Sequence, residues 1–550
     1  MVCGGEICGA SNLNRQRFTG GRLIVAVTSL LLAPPSFAVE PTLDSYRRGL
    51  ELVQQSLSAI GGEAALAAGI TLHGEGVVDL ATRLQGMSPV DPGQFAVRER
   101  LTLDSVSGQA AFESDSHVNA DVVERVRFLF EPDRPALLAD FVNAAAFWLP
   151  AVDSIEERRR YARMVPQMLL LDALDHRQTI RYLGRRSIDG LDRDTVTYSL
   201  PEGVSLSLYI DPGTRRPVAV EYLLDMPARG DTTVRWKYDA WRTVATIGAY
   251  PQGYEITLGG RLLKKVRYTF IRAGVDRDLL RLPDHFVLPA LPDVDGDRVE
   301  PAQPRIRELA DGVYVVPNIR AGFHPLIVEF ADFLAVVDAP AGYFELQQLP
   351  ARNWATGETS SSVGQRLLEV MQRDFPGKPP RYVVLTHHHG DHAGGIRPFI
   401  AAGATVIAAP QTLPVIERTV AARVSLNPDA LSGREELAKS EPVVAEKRIA
   451  DAGNEMLVIN VGANPHVEGM LVVWLPRQKL LYQSDLYMPA PIERFPDRAR
   501  VPVMRWFVNW LDASGLVPDQ IRSMHGPGAV TPQQLDIIRT MPGDEDPTRE

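Results

Sequence analysis

Cysteine is nearly missing from this 550-residue chain: it has two, Cys3 and Cys8, both in the first ten residues. Beyond them the chain can form no disulfide and offers no thiolate to a metal. An uninterrupted apolar run of the roughly 20 residues that a membrane helix needs is also absent. Positive charge is not in excess. Lys and Arg number 58 against 68 Asp and Glu, giving a net charge of −10 and a pI near 5.7. Such a balance argues against nucleic acid as the partner. Aromatic residues make up 7% of the chain and apolar residues 45%, with a mean hydropathy of −0.09. These values describe a soluble globular protein. The length exceeds what one core supports, and at about 150 residues per domain it implies two to four domains.

The N-terminus reads as an export leader. Arg15, Arg17 and Arg22 form a basic region, residues 23–33 an apolar core too short to span a bilayer comfortably, and Ser36-Phe37-Ala38 a small-x-small cleavage signal. The expectation is a signal peptide over 1–38, a mature chain beginning near Val39, and a periplasmic or secreted location. An uncleaved anchor is the alternative. Twin arginines are absent, which favours the general export route.

Residues 39–285 read as an antiparallel β-rich domain with a few helices. Leu43, Tyr46, Leu50, Val53 and Leu57 recur at helical spacing, predicting a helix over 42–68 interrupted at Gly61-Gly62. The period then falls towards two, and strands are predicted near 70–78, 95–103, 122–130, 195–200, 204–211, 217–224 and 233–238. A second helix is predicted over 154–175. Asp211-Pro-Gly-Thr is a turn, and Gly259-Gly260 centres a hairpin. The pattern resembles the curved sheets of exported lipoprotein-carrier domains, above all at Leu208-Tyr-Ile-Asp-Pro-Gly-Thr-Arg-Arg-Pro-Val218. A curved sheet could hold an apolar ligand or serve to pack on the other half. His73, His117, His176 and His285 are scattered and read as ordinary polar residues. Residues 286–305 are Pro- and Asp-rich without periodicity and read as a linker; they lack the spacing of a calcium loop.

The chemistry concentrates at 382–395. Tyr382-Val-Val-Leu is a β-branched apolar run, the signature of a buried strand. It breaks into Thr386, His387, His388, His389, Gly390, Asp391 and His392, then Ala393 and the pair Gly394-Gly395. Imidazole and carboxylate are ligands for zinc and neighbouring transition metals. His387 and His389 are two apart, so extended backbone points both the same way. Gly390 can bend the loop and aim Asp391 and His392 at a second point. One stretch could thus serve two ions about 3.5–4 Å apart. A chance polar loop or an affinity-tag run fits poorly, because a tag sits at a terminus.

This stretch resembles the signature of the metallo-β-lactamase superfamily, and the resemblance covers roughly residues 306–540. It implies further ligands on distant loops, and the sequence supplies His466, Asp485 and His525 in the implied order. On this resemblance His387, His389 and His466 hold one ion, Asp391, His392 and His525 a second, and Asp485 bridges the pair. It also implies an αββα sandwich of two mixed sheets between outer helices, making the whole chain α+β. Asp338 would support the metal loop from behind, and His388 would make a structural hydrogen bond. Redox di-iron members carry Glu where this chain has His389, so nitrogen-rich ligation points to two Zn2+ ions. Members needing a cysteine ligand are excluded by the missing thiol. The thioesterase branch usually has T-P-G-H-T at its third histidine, which Ala463-Asn-Pro-His-Val467 lacks.

The expected function is an exported dinuclear zinc hydrolase. Its metal-bridging hydroxide would attack a lactam, lactone, thioester or other ester of a small molecule, with Asp391 orienting it or taking its proton. Trp506, Trp510 and His324 are candidates for the substrate wall, although 504–512 also reads as a helix packed on the sheet. The alternatives are a periplasmic ligand-binding protein with a vestigial metal site, or a nuclease of the same fold. Residues 541–550 form an acidic tail.

Overall fold

The computed structural model describes residues 40–542 except 92, 120, 150–157, 159–160, 202, 291–303, 321, 343–357 and 493–494. The expected leader, most of the expected linker and nearly all of the acidic tail therefore lie outside the described residues. So does the start of the helix predicted over 154–175.

The first half begins with a helix, Pro41–Ala59, opened by a proline whose missing N–H is not needed there. Leu52, Val53 and Leu57 are buried along one face. The helix stops short of the predicted 68, at the interruption expected from Gly61-Gly62. Gly61 adopts φ 106°, and a Cβ there would lie 2.4 Å from the Ile247 carbonyl oxygen, so the glycine is required by close packing. Only a short 3-10 turn, Glu63–Ala65, follows.

Thirteen strands then form one antiparallel sheet. Each pairs with its sequence neighbour except at two places. The first strand, Ile70–Asp79, pairs with the last, Arg261–Ala273, and the strands Ala145–Trp148 and Arg181–Ile188 form the two edges. Two meanders thus meet at a central seam. The helices Pro41–Ala59 and Pro166–Asp175 contribute Leu52, Leu169 and Leu170 to a core shared with Val196, Leu208, Val220 and Trp236 of the sheet. The strand Gln109–Asn119 was not predicted, because Glu113, Ser114, Asp115 and Ser116 obscure the alternation. Buried Glu113 is paired with Arg127 at 2.6 Å and with Arg100.

The second half holds two sheets of seven and six strands. In the first, Leu334–Val337, Pro380–Val384 and Thr405–Ala408 run parallel. Lys439–Pro442 adds a further parallel strand at this edge. Val336, Val383 and Val406 of the first sheet share a core with Val458, Leu471 and Val473 of the second. Helix Ser362–Asp374 buries Val363, Leu367 and Met371 against the first sheet. Helix Val501–Ser514 buries Val503, Phe507 and Leu511 against Val472 and Leu481 of the other. The order is helix, sheet, sheet, helix. The chain is α+β, with the αββα sandwich following the antiparallel half.

The halves are joined by polar contacts. Asp225 accepts from the Ser360 N–H at 2.9 Å, the Ser360 hydroxyl at 2.7 Å and the Asn427 amide at 3.1 Å. Asp231 accepts from the N–H groups of Ser425 and Leu426 at 2.8 and 3.0 Å. Gly230 bridges to Arg423, where a Cβ would stand 2.0 Å from the carbonyl oxygen.

Candidate metal centre

The strand Pro380–Val384 is buried between two parallel neighbours, and the chain beyond its carboxyl end carries the histidines. This is where open α/β sheets place ligands. His389 caps a single helical turn, Gly390–Ala393, which turns Asp391 and His392 inward. Gly395 permits this fold-back: its Cβ would lie 2.2 Å from the Pro340 carbonyl oxygen.

Seven side chains converge in two groups, His387 with His389 and His466, and Asp391 with His392, Asp485 and His525. All are buried. His466 Nε2 lies 3.3 Å from His387 Nε2, and His392 Nε2 lies 3.1 Å from His525 Nε2. Asp485 faces both groups. Its Oδ1 is 3.2 Å from both His392 Nε2 and His525 Nε2, and its Oδ2 is 3.5 Å from His466 Nε2. Asp391 Oδ2 is 3.4 Å from His392 Nε2 and His525 Nε2.

The outer nitrogens of four histidines are tied down. His387 Nδ1 donates to the Thr386 hydroxyl at 3.1 Å, and His392 Nδ1 to Asp338 Oδ2 at 3.0 Å. His389 Nε2 donates to the Gly86 carbonyl at 3.1 Å, and His466 Nδ1 to Asp121 Oδ1 at 2.8 Å. Each bond fixes one proton and leaves the inner nitrogen a bare lone pair, the arrangement metal-ligating histidines use. Asp338, at φ 66°, is the hub of the second group. It accepts from the Thr386 N–H at 2.9 Å, the Thr386 hydroxyl at 2.8 Å and the Ser484 hydroxyl at 3.1 Å.

A tetrahedral ion with nitrogens 2.0–2.1 Å away needs ligand atoms roughly 3.3 Å apart. The spacings of 3.3 and 3.1 Å, one in each group, lie near that value, and the ligand atoms of each group all lie within 4.8 Å of one another, so the donor set fits a divalent metal. Electrostatics divide the groups. Burial, reinforced by neighbouring imidazoles, pushes His387 well below the ordinary imidazole value and His389 down to about 3. Burial also opposes a proton on His392 and His525, yet the facing carboxylates, Asp485 foremost, raise both. Burial disfavours charge on Asp391 and Asp485, but His392 and His525 hold both well below the carboxylate range.

Other expected residues lie elsewhere. His324 is buried rather than open at a mouth. Its Nε2 donates to the Gly526 carbonyl at 2.6 Å and its Nδ1 accepts from the Asn318 N–H at 3.2 Å, bracing the loop that carries His525. Trp506 and Trp510 are partly buried against the apolar layer under helix Val501–Ser514, where Trp510 stacks on Phe507 at 6.0 Å. His388 lacks the expected structural hydrogen bond. It is buried beside the Gly86 carbonyl, but neither ring nitrogen reaches hydrogen-bond geometry among the described residues.

Three participants went unpredicted. Residues 84–87, between the first two strands, lie against the metal loop. Leu84 is buried in the sandwich core and accepts from the Gly390 N–H at 3.3 Å. Gln85 donates to Asp391 Oδ1 at 2.9 Å, and Met87 accepts from the Glu468 N–H at 2.9 Å. Gln85, Gly86 and Asp121 stand hundreds of positions from their partners, and no local pattern marks them.

A two-sheet sandwich between helices, with buried histidines and carboxylates at its strand ends, defines a class, the αββα fold with a candidate metal site. Residues 356–522 match the model of the metallo-beta-lactamase superfamily, a family typically of hydrolases, and the second half carries that fold. Among solved structures the chain is similar to a metallo-beta-lactamase from Pontibacter korlensis. The identity is 17%, covering 43% of this chain and all of that one, with a TM-score of 0.31. It is also similar to the metallo-beta-lactamase FIM-1 from Pseudomonas aeruginosa in its mono-zinc form, at 18% identity over 43% of this chain and 96% of the other, TM-score 0.30. A third is the sec-alkylsulfatase Pisa1 from Pseudomonas sp., at 18% identity over 43% of this chain and 41% of that one, TM-score 0.30. No curated protein matches.

Proposed function

We propose that the protein is an exported hydrolase that binds two zinc ions and cleaves a small lactam, lactone, thioester or other ester. The observation carrying this reading is the convergence of seven buried side chains, with the outer nitrogens of four of the five histidines tied. His387, His389 and His466 would hold one ion, and Asp391, His392 and His525 the other, with Asp485 between them. Ions bound there supply Lewis acidity and a water of lowered pKa.

The chain's own residues do the rest. Gln85 restrains Asp391 Oδ1, so Oδ2 is the oxygen left to orient a water and take its proton. Burial excludes bulk solvent and strengthens each charge interaction. Asp485, facing both groups, keeps them in register. The basic, apolar and small-x-small pattern read in the sequence of residues 15–38 is what supports export.

The test is metal analysis of the purified protein, followed by a panel of chromogenic esters, thioesters, lactones, a cephalosporin and alkyl sulfates. Two equivalents of zinc and turnover abolished by D391N are expected. A protein that takes up no metal, or that loads fully and cleaves only nucleic acid, overturns the reading.

A further inference from the structure

The three-histidine group is completed by the half of the chain that contains none of its ligands. Asp121 stands in the turn between strands Gln109–Asn119 and Val122–Phe130. Gly86 stands between Ile70–Asp79 and Gln94–Asp104. The pairing of Asp79 with Gln94, and of Asn119 with Val122, puts both turns at one end of the sheet. From there Asp121 Oδ1 accepts from His466 Nδ1 at 2.8 Å, and the Gly86 carbonyl accepts from His389 Nε2 at 3.1 Å. The Asp121 side chain is 2% exposed and His466 is fully buried.

The four-ligand group is served differently. The outer nitrogen of His392 is held by Asp338, and Ser484 lies 3.2 Å away, both in the second half. The β-rich half touches this group through Gln85 on Asp391, which holds an oxygen rather than a ring tautomer.

We propose that Asp121 and the Gly86 carbonyl are positioning groups of the metal centre, so that the β-rich half is a working part of the three-histidine position. An imidazole offers a lone pair from one nitrogen only while the other keeps its proton. Asp121 pins that proton on Nδ1 of His466, presents Nε2 to the interior and makes the ring more basic; carbonyl 86 does the corresponding job for His389. Removing such a partner weakens a metal site by on the order of 10–100-fold. The sheet therefore does more than pack, and a metal half produced alone would hold this position poorly. The inference rests on the reading that the cluster holds divalent ions.

The test uses the full chain, stripped and reloaded, as wild type, D121N and D121A. Zinc is titrated against a competing chelator, and cobalt is added separately to read the visible spectrum of each site. Wild type is expected to take two equivalents. D121A keeps one at wild-type affinity and loses on the order of 10–100-fold at the other. D121N falls between, since an amide oxygen still accepts from Nδ1–H without the charge. The downfield NMR signal of the His466 Nδ1 proton persists in D121N and disappears in D121A. If D121A fails to fold, the affinity split in D121N decides. Wild-type affinity at both positions in the folded variants, or equal weakening at both, overturns this inference alone. A wild type without metal overturns the functional reading as well.

Discussion

Replacing Asp338 by asparagine changes few atoms and should empty one metal position. In the wild type Asp338 Oδ1 accepts from the Thr386 N–H, while Oδ2 accepts from His392 Nδ1 at 3.0 Å and from Ser484 at 3.1 Å. An asparagine must keep its oxygen towards Thr386, so its NH2 faces His392. One outcome is that His392 shifts its proton to Nε2. That nitrogen points at Asp485 Oδ1 and His525 Nε2, 3.2 and 3.1 Å away, and once protonated it cannot ligate. The other outcome keeps the tautomer and sets donor against donor. It forfeits two bonds to an ionised acceptor, at about 1.5–3 kcal/mol each. Together these reach roughly 3–6 kcal/mol, and each 1.4 kcal/mol is about tenfold in affinity. Either way zinc affinity at the four-ligand position should fall at least about 100-fold, with the three-histidine position loaded. Chelator-competition titration reads the affinity and nitrogen NMR of His392 reads the tautomer. D338N that folds, binds two equivalents as tightly as wild type and keeps its Nδ1 proton would refute the reasoning.

Chelation of the loaded protein should abolish hydrolysis and lower the melting temperature, since an ion at 100 times its Kd stabilises by about 2.7 kcal/mol; an unchanged melting curve after verified removal contradicts this. G395A should destabilise by about 1–3 kcal/mol or more and impair metal uptake, because a Cβ 2.2 Å from the Pro340 carbonyl must displace the loop; denaturant titration measures it. The Arg397 guanidinium grips Asp429 through Nε at 2.6 Å and Nη2 at 3.0 Å. Burial raises that carboxyl, but this pairing and the nearby hydroxyls lower it below its ordinary value. A depressed carboxyl adds stability above its unfolded pKa near about 3.9 and loses it as pH falls through the lower folded value. D429N should therefore cost about 1.5–3 kcal/mol at pH 7, with the gap to wild type closing below about pH 4; a gap constant with pH speaks against the ion pair as its source.

The second half was largely legible. Continuous apolar strands, turn residues and a dense ligand loop are local signals, and the distant His466, Asp485 and His525 were reached through the resemblance. In the first half, period-two alternation marked most of the strands. Gln109–Asn119 escaped because its acidic residues are neutralised by arginines on neighbouring strands, a pairing invisible along the chain. The helix end at Ala59 was legible in Gly61-Gly62, whereas the close approach of Ile247 to Gly61 was not. The same limit hid Gln85, Gly86 and Asp121. Each acts through a single contact across a long sequence separation, which no window of residues can contain.

The sheet's ordering has a consequence for biosynthesis. Because the strands that flank Asp121 and residues 84–87 precede every candidate metal ligand in the chain, they emerge from the ribosome first. An N-terminal unit that folds as it is made can stand complete, its seam closed by Arg261–Ala273, before His387 is translated. The later half would then close over Leu84, Gly86 and Asp121 already made.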